Sequence, residues 1–467
     1  MKPILYEFMS AYSAEEVYAL FAEEEDSVFL DSAMDIQGMG RYSFIGRDPF
    51  LVFTSRGSTV SIRDANGYSA QEGNSFEILK ELLHKYRTDK VAEYPPLTGG
   101  IIGYFGYDMG HLLEKIVSSS KENSDVPDCY IGFYDTVLIF DHIEGKKYIG
   151  STGFPEMDDE KRGCRANERI DELMTLLDKA CSLTLPKQPI AQGGYTADFT
   201  KESYCKMVQK AIDYIAAGDI FQVNLSQRFS AKMTVSPFDL YRYLRHINPA
   251  PFASYLNFTE VIVASASPER YLLLQDKLVE TRPIKGTRPR GIDQESDDRL
   301  REELLSSEKD RAELVMIIDL ERNDLGRVCE YGSVRVPDLI RLEEYATVFH
   351  LVSTVTGRLP QDKDIINVIM ASFPGGSITG APKVRAMEII EESEPVSRGI
   401  YTGSIGYIDF NGDADLNIVI RTFVIKDGQA YFQVGGGIVA DSVPHLEYQE
   451  TLDKGRALMR ALGYEEK

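Results

Sequence analysis

The sequence has few or none of several residue types, and each shortage limits what the protein can be. Its 467 residues include no tryptophan, six histidines and five cysteines. The cysteine count is odd, and no two cysteines form a CxxC pair. This pattern argues against a disulfide-stapled scaffold and is typical of reduced thiols in a cytoplasmic protein.

Long apolar runs are also missing, and positive charge is outnumbered. No run approaches the roughly 20 apolar residues of a membrane helix, and the opening "MKPILYEFMSAYSAEE" turns polar too early for a secretory signal. The chain has 51 Lys and Arg against 73 Asp and Glu, a net charge of −22. Because such a chain repels phosphate backbones and anionic lipid, we expect no nucleic acid or membrane partner. An anionic small substrate would need a local cationic pocket or a metal.

The residues that are present, 43% hydrophobic and 27% charged, fit an ordinary globular protein with a sizeable core. Residues 1–150 read as short strands joined by tight turns with one helix, and residues 196–467 alternate helices with β-runs. A charged helix and a Pro/Gly/Gln-rich linker lie between them. We therefore predict two regions, 1–150 and 196–467, in an α+β fold with antiparallel or mixed sheets.

The last predicted helix carries Glu447, Glu450 and Lys454 on one face, because their spacing is i, i+3 and i+7. On spacing alone, the usual explanation is a solvated face with a Glu450–Lys454 pair. The preceding glycines, Gly435–Gly437, favour a ligand instead, since backbone N–H groups there can approach an anion closely. Two carboxylates beside such a loop need a cation, and Mg²⁺ accepts one or two carboxylates plus substrate oxygens.

A second helix bearing carboxylates is predicted upstream. "DQESDDRLREELLSSEKDRAELVMIIDLERNDLG" reads as one long helical stretch that ends at Gly326. It carries Asp310, Glu313 and Glu321 among alternating charges. The pattern fits either a second side of a metal site or ordinary surface salt bridges.

Two helix starts have unusual sequences. "FPGGSITGAPKVRAMEII" is a glycine-rich turn that leads into a helix with Pro382 near its first turn. It is not a P-loop, because the spacing to a GK[ST] pattern fails, so it is either an anion-binding helix start or a plain loop and cap. Asp441 and Ser442 are the candidate caps of the last helix.

Four further residues stand out against their surroundings. His350 lies in an alternating strand and is either a core or surface residue or a site residue. Arg421 interrupts an apolar run, and if buried it demands a carboxylate partner or an anionic ligand. Tyr401 fits a core or a site, and Glu269 follows a proline at a strand edge, where solvent exposure is the alternative.

The stretch "TRPIKGTRPRG" places four cations on what reads as a loop after an apolar strand. Arg282, Arg288 and Arg290 are predicted to be surface charges. Lys285, between Ile284 and Gly286, is either another surface residue or a partly desolvated amine that acts as a nucleophile.

These segments together resemble one family. "GRYSFIGRDPF", "GGIIGYFGYD", "SPERYL", "PIKGTRPRG", "KDRAELVMIIDLERNDLG", "FPGGSITGAPKVRAMEIIEE", "YTGSIGYI" and "VGGGIVADSVPHLEYQETLDKG" are similar to the chorismate-utilising enzymes. The resemblance spans the whole chain and is strongest from 196 to 460. It implies an α+β fold with two orthogonally packed sheets in a four-layer α/β/β/α core.

The resemblance also implies a metal site. Glu313 and Glu450 would hold Mg²⁺, with Glu447 close by through water, and the metal would grip the ring carboxylate of chorismate. Asp310 matches a position that varies among relatives, so the resemblance assigns it no ligand role.

The remaining site roles follow from the same resemblance. His350 matches the active-site histidine, and Glu269 would be the general acid that protonates the departing C4 hydroxyl. The implied contacts to substrate, chiefly to the enolpyruvyl carboxylate, are Tyr401, Arg421, Gly435, Gly436, Gly437, Lys454, Gln222 and Thr379 of the 375–380 loop.

Two positions separate the branches of this family. Isochorismate and salicylate synthases carry a lysine base where this chain has Gln222, which points to an aminating member. Anthranilate synthases usually read PIAGT where this chain has PIKGT, and aminodeoxychorismate synthases typically have the lysine. The resemblance thus implies that Lys285 attacks C2 of chorismate and that ammonia then enters at C4, giving 4-amino-4-deoxychorismate for 4-aminobenzoate and folate.

The resemblance further implies a partner and a second pocket. The chain shows no glutamine amidotransferase domain, so ammonia from glutamine would come from a separate glutaminase subunit in a heterodimer. "FLDSA" and "HINPAPFASYL" match segments that border a tryptophan pocket in relatives. Ser32, Asn248 and Pro249 are therefore candidates for a structural or vestigial amino-acid site.

Two other functions compete with this prediction. The first is anthranilate synthase component I, separated mainly by Lys285. The second is a catalytically silent protein that binds tryptophan or chorismate. The joint presence of the reactive residues argues against a silent copy, which has no need of Glu269, Lys285, Glu313, His350 and Glu450 together.

Overall fold

The computed structural model describes residues 2–34, 39–116, 125–344 and 348–464. The strands are β1 Ile4–Glu7, β2 Ser27–Asp31, β3 Tyr42–Gly46, β4 Leu51–Arg56, β5 Thr59–Asp64, β6 Gly67–Glu72, β7 Gly100–Phe105, β8 Cys129–Tyr134, β9 Thr136–Asp141, β10 Lys146–Ser151, β11 Thr196–Ala197, β12 Gln222–Lys232, β13 Phe252–Phe258, β14 Val261–Ser267, β15 Arg270–Gln275, β16 Leu278–Thr281, β17 Ile284–Pro289, β18 Arg335–Glu344, β19 Val348–Arg358, β20 Gly380–Ala381, β21 Ser404–Asp409, β22 Ala414–Asn417, β23 Thr422–Lys426 and β24 Gln429–Ile438.

The helices connect and cover these strands. They are α1 Ala14–Tyr18, α2 Ser75–Lys85, α3 Asp159–Leu177, α4 Lys201–Ala217, α5 Pro237–Ile247, α6 Gln294–Ser306, α7 Glu308–Gly326, α8 Ile365–Ser372, α9 Lys383–Ser393 and α10 Pro444–Ala461, with 3₁₀ turns at Tyr107–Leu112 and Gly376–Ile378. In the described ranges, no helix combines the length and apolarity needed to cross a membrane.

The strands form two large sheets in which every recorded pairing is antiparallel. The first sheet runs β1-β10-β9-β3-β2-β13-β14-β23-β24-β12-β11, with β20 also on β12. The second runs β17-β19-β16-β15-β22-β21-β7-β8-β4-β5-β6, with β18 also on β19. Each sheet takes strands from both 1–150 and 196–467. The joins are β2 against β13, where Phe29 pairs with Tyr255, and β7 against β21, where Gly103 pairs with Gly406.

Three apolar cores define the layers of the molecule. One core lies between the two sheets and includes Val28, Leu256 and Ile405. A second, with Phe432 and Leu458, joins the first sheet to α1, α3, α5 and α10. The third joins the second sheet to helices that include α2, α7 and α8. Helices, sheet, sheet and helices therefore follow in that order, and the predicted α+β fold class is confirmed.

The chain changes sheets within a few residues at several places, two of which are adjacent. Between β14 and β15, residues 268–269 cross from the first sheet to the second, and between β22 and β23, residues 418–421 cross back. We call these segments the first and second crossover. They lie side by side, because the Ile418 N–H donates to the Glu269 carbonyl at 2.9 Å and Ser267 Oγ donates to the Ile418 carbonyl at 2.5 Å.

Local structure departs from the sequence prediction at three places. The predicted single helix over 293–326 is broken at Ser307, which has extended backbone and caps α7 by accepting from the Asp310 N–H at 3.2 Å. The predicted continuous strand through Arg421 is divided by the second crossover, where Arg421 has φ of 52°. The last helix is not capped by Asp441 or Ser442, since its N-cap is Val443, without a side-chain hydrogen bond.

The contact between α10 and the first sheet gives a stability test. Leu458 is 0% exposed in the core beneath α10. We expect Leu458→Ala to lower the free energy of unfolding by about 2–5 kcal/mol, through lost burial and the remaining cavity. The matched control is Leu446→Ala on the same helix, where the side chain is 57% exposed and the change should be small. Denaturant midpoints measure both, and equal shifts would contradict this packing.

Candidate active site

A cavity of about 710 Å³ opens where the two crossovers meet β17, α7, β24 and α10. Most of the chemically distinctive residues picked out from the sequence line it. They come from eight separate segments of the chain, so only the fold brings them together. The predicted residues in its wall are Glu269, Lys285, Glu313, His350, Tyr401, Arg421, Gly435, Gly437, Glu450 and Lys454.

Lys285 lies in a strand rather than a loop. β17 pairs with β19, and Lys285 is opposite Leu351 while Thr287 is opposite His350, so Gly286 is an extra residue in the ladder. Gly286 has φ of 71°, a conformation that glycine adopts without strain and that is typical of a β-bulge. The bulge therefore sets the direction in which Lys285 enters the cavity.

The first crossover holds Glu269 beside that amine. Glu269 is 7% exposed and accepts a hydrogen bond from Ser377 Oγ at 2.7 Å. Lys285 Nζ donates to the carbonyl of the same serine at 3.2 Å. Ser377 thus joins the acid and the amine, a role that the glycine-rich pattern of "FPGGSITG" does not indicate.

Burial favours the uncharged form of both groups. It raises the pKa of Glu269, although the Ser377 hydroxyl and Lys285 oppose part of the rise. It lowers the pKa of Lys285, although the carboxylates of Glu313 and Glu269 oppose that change. A protonated carboxyl and a neutral amine are the forms needed for a general acid and a nucleophile.

His350 is held by the bulged strand. It is 4% exposed, and its Nδ1 lies 2.8 Å from Thr287 Oγ1. Burial, with a contribution from the positive charge of Arg421, lowers the pKa of His350 to about 4. The ring is therefore neutral at pH 7, and Thr287 is a second contact that the sequence did not indicate.

Arg421 brings an unneutralised positive charge to the cavity wall. The second crossover places its guanidinium beside the first, where Glu269 supplies the nearest opposing charge. Within the described residues it forms no ion pair, unlike Arg398 below it, which binds the Glu394 carboxylate at 2.7 and 2.9 Å. An arginine that faces a cavity without a carboxylate partner is suited to an anionic ligand.

Three carboxylates approach one another at the other end of the cavity. A methyl group at Gly436 would lie 3.3 Å from Glu450 Oε1 and 3.6 Å from Glu447 Oε2, so glycine is what lets these oxygens approach β24. Burial raises the pKa of Glu313 and of Glu447. Burial alone would also raise the pKa of Glu450, but its pair with Lys454 at 2.7 Å helps lower it.

The carboxylates do not form a complete metal cage by themselves. Among residues 2–34, 39–116, 125–344 and 348–464, no three or more His, Cys, Asp or Glu side chains are arranged to hold a metal ion. Glu447 accepts from Ser442 Oγ at 2.6 Å, and Glu450 is bound to Lys454. The donor set suits Mg²⁺ with one or two carboxylates completed by substrate oxygens, and the metal assignment stays a prediction.

Some predicted residues lie outside the cavity wall. Gln222 is 0% exposed behind Gly437, and neither its amide nitrogen nor its oxygen has a hydrogen-bond partner in the described part of the chain. Thr379 is also 0% exposed, and its hydroxyl donates to the Gly375 carbonyl at 3.0 Å. Thr379 therefore shapes the loop, while Ser377 and Ile378 of the same loop face the cavity.

Not all of the arginines near Lys285 are surface charges on a loop, as the sequence predicted. Arg282 is not a surface charge, because its side chain is 12% exposed and pairs with the buried Glu343. Arg288 pairs with Asp310 at 3.2 Å. These pairs attach the segment 282–289 to β18 and to α7.

The candidate amino-acid pocket is divided between two cavities. Ser32 lines a cavity of about 890 Å³ between the sheets. Asn248 and Pro249 line another of about 310 Å³ that adjoins the active-site cavity at His350 and Arg421. A tryptophan site at these residues stays a prediction.

Comparison with known proteins identifies the family. A family model described as chorismate binding enzyme matches residues 44–460. The chain belongs to the chorismate-binding enzyme family. Anthranilate synthase component 1 of Acetivibrio thermocellus is 41% identical over 456 residues, covering 96% of this chain and 92% of that protein. Aminodeoxychorismate synthase component 1 of Bacillus subtilis (strain 168) is 41% identical over 435 residues, covering 93% and 91%.

Solved structures agree with this assignment. Anthranilate synthase component I from Streptococcus pneumoniae TIGR4 matches with a TM-score of 0.76 at 32% identity, covering 92% of this chain and 93% of that one. MenF, the menaquinone-specific isochorismate synthase from Escherichia coli, has a TM-score of 0.75 at 18% identity and shares the fold. Because this chorismate-binding enzyme is equally identical to relatives with two different names, overall identity does not separate their reactions.

The buried histidine predicts a pH dependence of stability. His350 has a pKa of about 4 when folded against a usual 6.5, so between those values the unfolded chain binds more protons and acid favours unfolding. This contribution is complete above pH 6.5 and is lost as pH falls towards 4.

The test compares the free energies of unfolding of the wild type and His350→Asn at pH 7 and pH 5. The wild type should lose roughly 2 kcal/mol more than the variant between these values. Parallel losses would show that the folded pKa of His350 is not lowered and that the ring is therefore not buried.

Proposed function

We propose that the enzyme aminates chorismate at C4 to give 4-amino-4-deoxychorismate, in the cytoplasm, for 4-aminobenzoate and folate synthesis. The observation that carries the proposal is the Lys285 amine, which enters the cavity from a bulged strand and meets the buried acid Glu269 at Ser377. Anthranilate synthases usually have alanine at the place of Lys285.

The proposed reaction uses the neutral forms that burial favours. Lys285 forms a bond to C2 of chorismate, the ring double bonds shift, and the C4–O bond breaks. The hydroxyl leaves as water with the proton of Glu269. Ammonia then bonds to C4 as the C2–N bond to Lys285 breaks, and the surplus proton on the new amino group returns to the Glu269 carboxylate. The net change is chorismate plus ammonia to product plus water.

The two ends of the cavity match the two carboxylates of such a substrate. At one end, Arg421 and Tyr401 line the wall and would bind the enolpyruvyl carboxylate. At the other, Glu313 and Glu450 would hold Mg²⁺, with Glu447 nearby. The ion, when bound, supplies positive charge for the ring carboxylate. Lys454 pairs with Glu450 at that end and donates to the Gly435 carbonyl at 3.0 Å.

We further propose that a separate glutamine amidotransferase subunit supplies the ammonia. The relatives' shared title of component 1 supports this. Anthranilate synthase is the second candidate function, favoured by the equally identical relative of that name and by the matching solved structure. The product formed from chorismate separates the two.

Replacing Lys285 tests the nucleophile. We expect Lys285→Ala to lower kcat by on the order of a thousandfold or more, because the amine that forms the bond to C2 is removed. The assay supplies the isolated enzyme with chorismate, Mg²⁺ and ammonia and identifies products by mass and chromatography. When ammonia is left out of the assay, the wild-type enzyme should also show a chorismate-derived adduct on Lys285.

The control is Lys210→Ala on α4, whose side chain is 51% exposed and 3.3 Å from Glu392. It should keep wild-type activity. If Lys285→Ala still aminates chorismate and only its KM for chorismate changes, Lys285 does not form a covalent intermediate. Anthranilate as the wild-type product would move the enzyme to the second candidate function.

Removal of the metal tests the carboxylate end. Chelation should abolish turnover, and added Mg²⁺ should restore it. Glu450→Gln should raise the Mg²⁺ concentration for half-maximal activity by about tenfold or more, since one carboxylate ligand is lost. The control Glu388→Gln alters a carboxylate on α9 that pairs with Arg385. Full activity in chelator would exclude a metal role.

A further inference from the structure

The cavity of about 310 Å³ beside α10 lies between the active site and the surface; we call it the outer cavity. Its wall shares His350, Arg421 and Lys454 with the active-site cavity. Pro249 and Arg460 line the outer cavity alone, and both are exposed. The outer cavity therefore reaches solvent on one side and the predicted substrate-binding residues on the other.

Positive charge predominates in the wall of the outer cavity. Its cations are Arg421, Lys454, Arg456 and Arg460. Among the described residues of this wall, Asp453 is the one carboxylate, and His350 is neutral at pH 7, because burial lowers its pKa to about 4. The whole chain, by contrast, has a net charge of −22. The outer cavity is thus a local positive region on an acidic protein, and it attracts anions.

Helix α10 extends along both cavities. Glu450 lines the active-site cavity, Arg460 lines the outer cavity, and Arg456 lines both. The helical rise places Arg460 about 15 Å from Glu450 along the axis. Asp453, Arg456 and Arg460 have the spacing i, i+3 and i+7, so they share one face. Cationic side chains therefore follow one helix from the surface to the carboxylates of the active site.

Ordinary stabilising roles account for only part of this arrangement. Arg456 is 56% exposed and pairs with Asp453 at 2.7 Å, and such an exposed pair contributes little to stability. Arg460 lies in the last turn of α10, where a positive charge interacts favourably with the helix dipole. Neither role requires that the two arginines line a cavity that opens into the active site.

The wall also contains an unsatisfied hydrogen-bond donor. Asn248 is the C-cap of α5 and lines the outer cavity. Its amide nitrogen is buried and has no hydrogen-bond partner among the residues that the structure describes. A buried donor without a partner costs stability and indicates a site for an acceptor. A carboxylate accepts hydrogen bonds from both amides and guanidinium groups, so the wall suits a carboxylate ligand.

We propose that the outer cavity is the entrance for chorismate, and that Arg456 and Arg460 hold one carboxylate of the incoming dianion. From there the substrate passes to Arg421 and Lys454 in the shared wall. Because the chain as a whole repels anions, this local attraction raises the substrate concentration at the opening. The inference rests on the proposed function, since it concerns the anionic substrate of that reaction. The two arginines act in binding and take no part in the chemistry.

Neutral variants of the two arginines test the entrance. Initial rates of the isolated enzyme are measured with saturating ammonia and Mg²⁺ and varied chorismate, at low and high ionic strength. Arg460→Gln and Arg456→Gln should each raise the KM for chorismate by about three- to tenfold at low ionic strength, while kcat and the KM for ammonia stay within about twofold. The rise should shrink in high salt, because salt screens exposed charges.

The matched control is Arg322→Gln on α7. Arg322 is 52% exposed and pairs with Asp319 at i,i+3 spacing, as Arg456 does with Asp453, but it lines neither cavity. Its KM for chorismate should stay near wild type at both ionic strengths. Arg460→Lys keeps the charge and should keep most of the affinity, whereas Arg460→Glu should weaken it more than Arg460→Gln does.

Denaturant midpoints separate the entrance from a structural role at the helix end. If Arg460→Gln lowers the midpoint but leaves the KM for chorismate unchanged, Arg460 only stabilises α10 and the entrance is overturned. A parallel rise in the KM values for chorismate and ammonia would also overturn it, because ammonia carries no negative charge.

Binding without turnover separates this inference from the proposed function. On the Lys285→Ala background, calorimetry measures the Kd for chorismate, which Arg460→Gln should raise at low ionic strength. Anthranilate as the wild-type product, with the same salt-dependent rise in KM, would support the entrance and reject amination at C4. An equal Kd with and without Arg460→Gln would overturn the entrance whatever the product is. A chain that binds no chorismate would overturn both.

Discussion

The active site depends on two chain crossovers that hydrogen-bond to each other between the sheets. A strand that leaves one sheet for another must expose backbone N–H and carbonyl groups, which are costly to bury unpaired. Here each crossover satisfies the other, through the Ile418 N–H to Glu269 and through Ser267 Oγ to the Ile418 carbonyl. The pairing fixes Glu269 and Arg421, one acid and one cation, on the same short stretch of wall.

The rest of the site is a balance between burial and charge. Burial pushes Glu269 and Lys285 towards their neutral forms, and each partly opposes the effect on the other. In an apolar core, burial of a charged acid or amine without a partner would destabilise the fold. In the proposed function, a substrate carboxylate would neutralise Arg421, and a bound cation would neutralise the carboxylates at the other end of the cavity.

Sequence reasoning identified the parts of the site that depend on local pattern or on long motifs. The α+β class, the shared face of Glu447, Glu450 and Lys454, and most wall residues were predictable in this way. What it could not give depends on contacts between distant segments. Ser377 joins Glu269 to Lys285 only because a loop from residue 375 onwards folds against both, and Thr287 reaches His350 only because Gly286 bulges the strand.

The wrong predictions also concern contacts that the local sequence does not reveal. The helix break at Ser307 was hidden by continuous helical composition, because an N-cap serine is also tolerated within a helix. Arg282 was predicted to lie at the surface because its partner Glu343 is 61 residues away. Thr379 was placed in the pocket by motif, but the hydroxyl turns back into its own loop.

The joining of both regions within each sheet has a consequence for synthesis of the chain. When the first 150 residues have left the ribosome, β2 and β7 still lack their partners β13 and β21, which follow more than a hundred residues later. Two hydrophobic strand edges must therefore stay unpaired during much of translation, and such edges invite association with other chains. The nascent protein is consequently most exposed to aggregation and to chaperones before its catalytic half has been made.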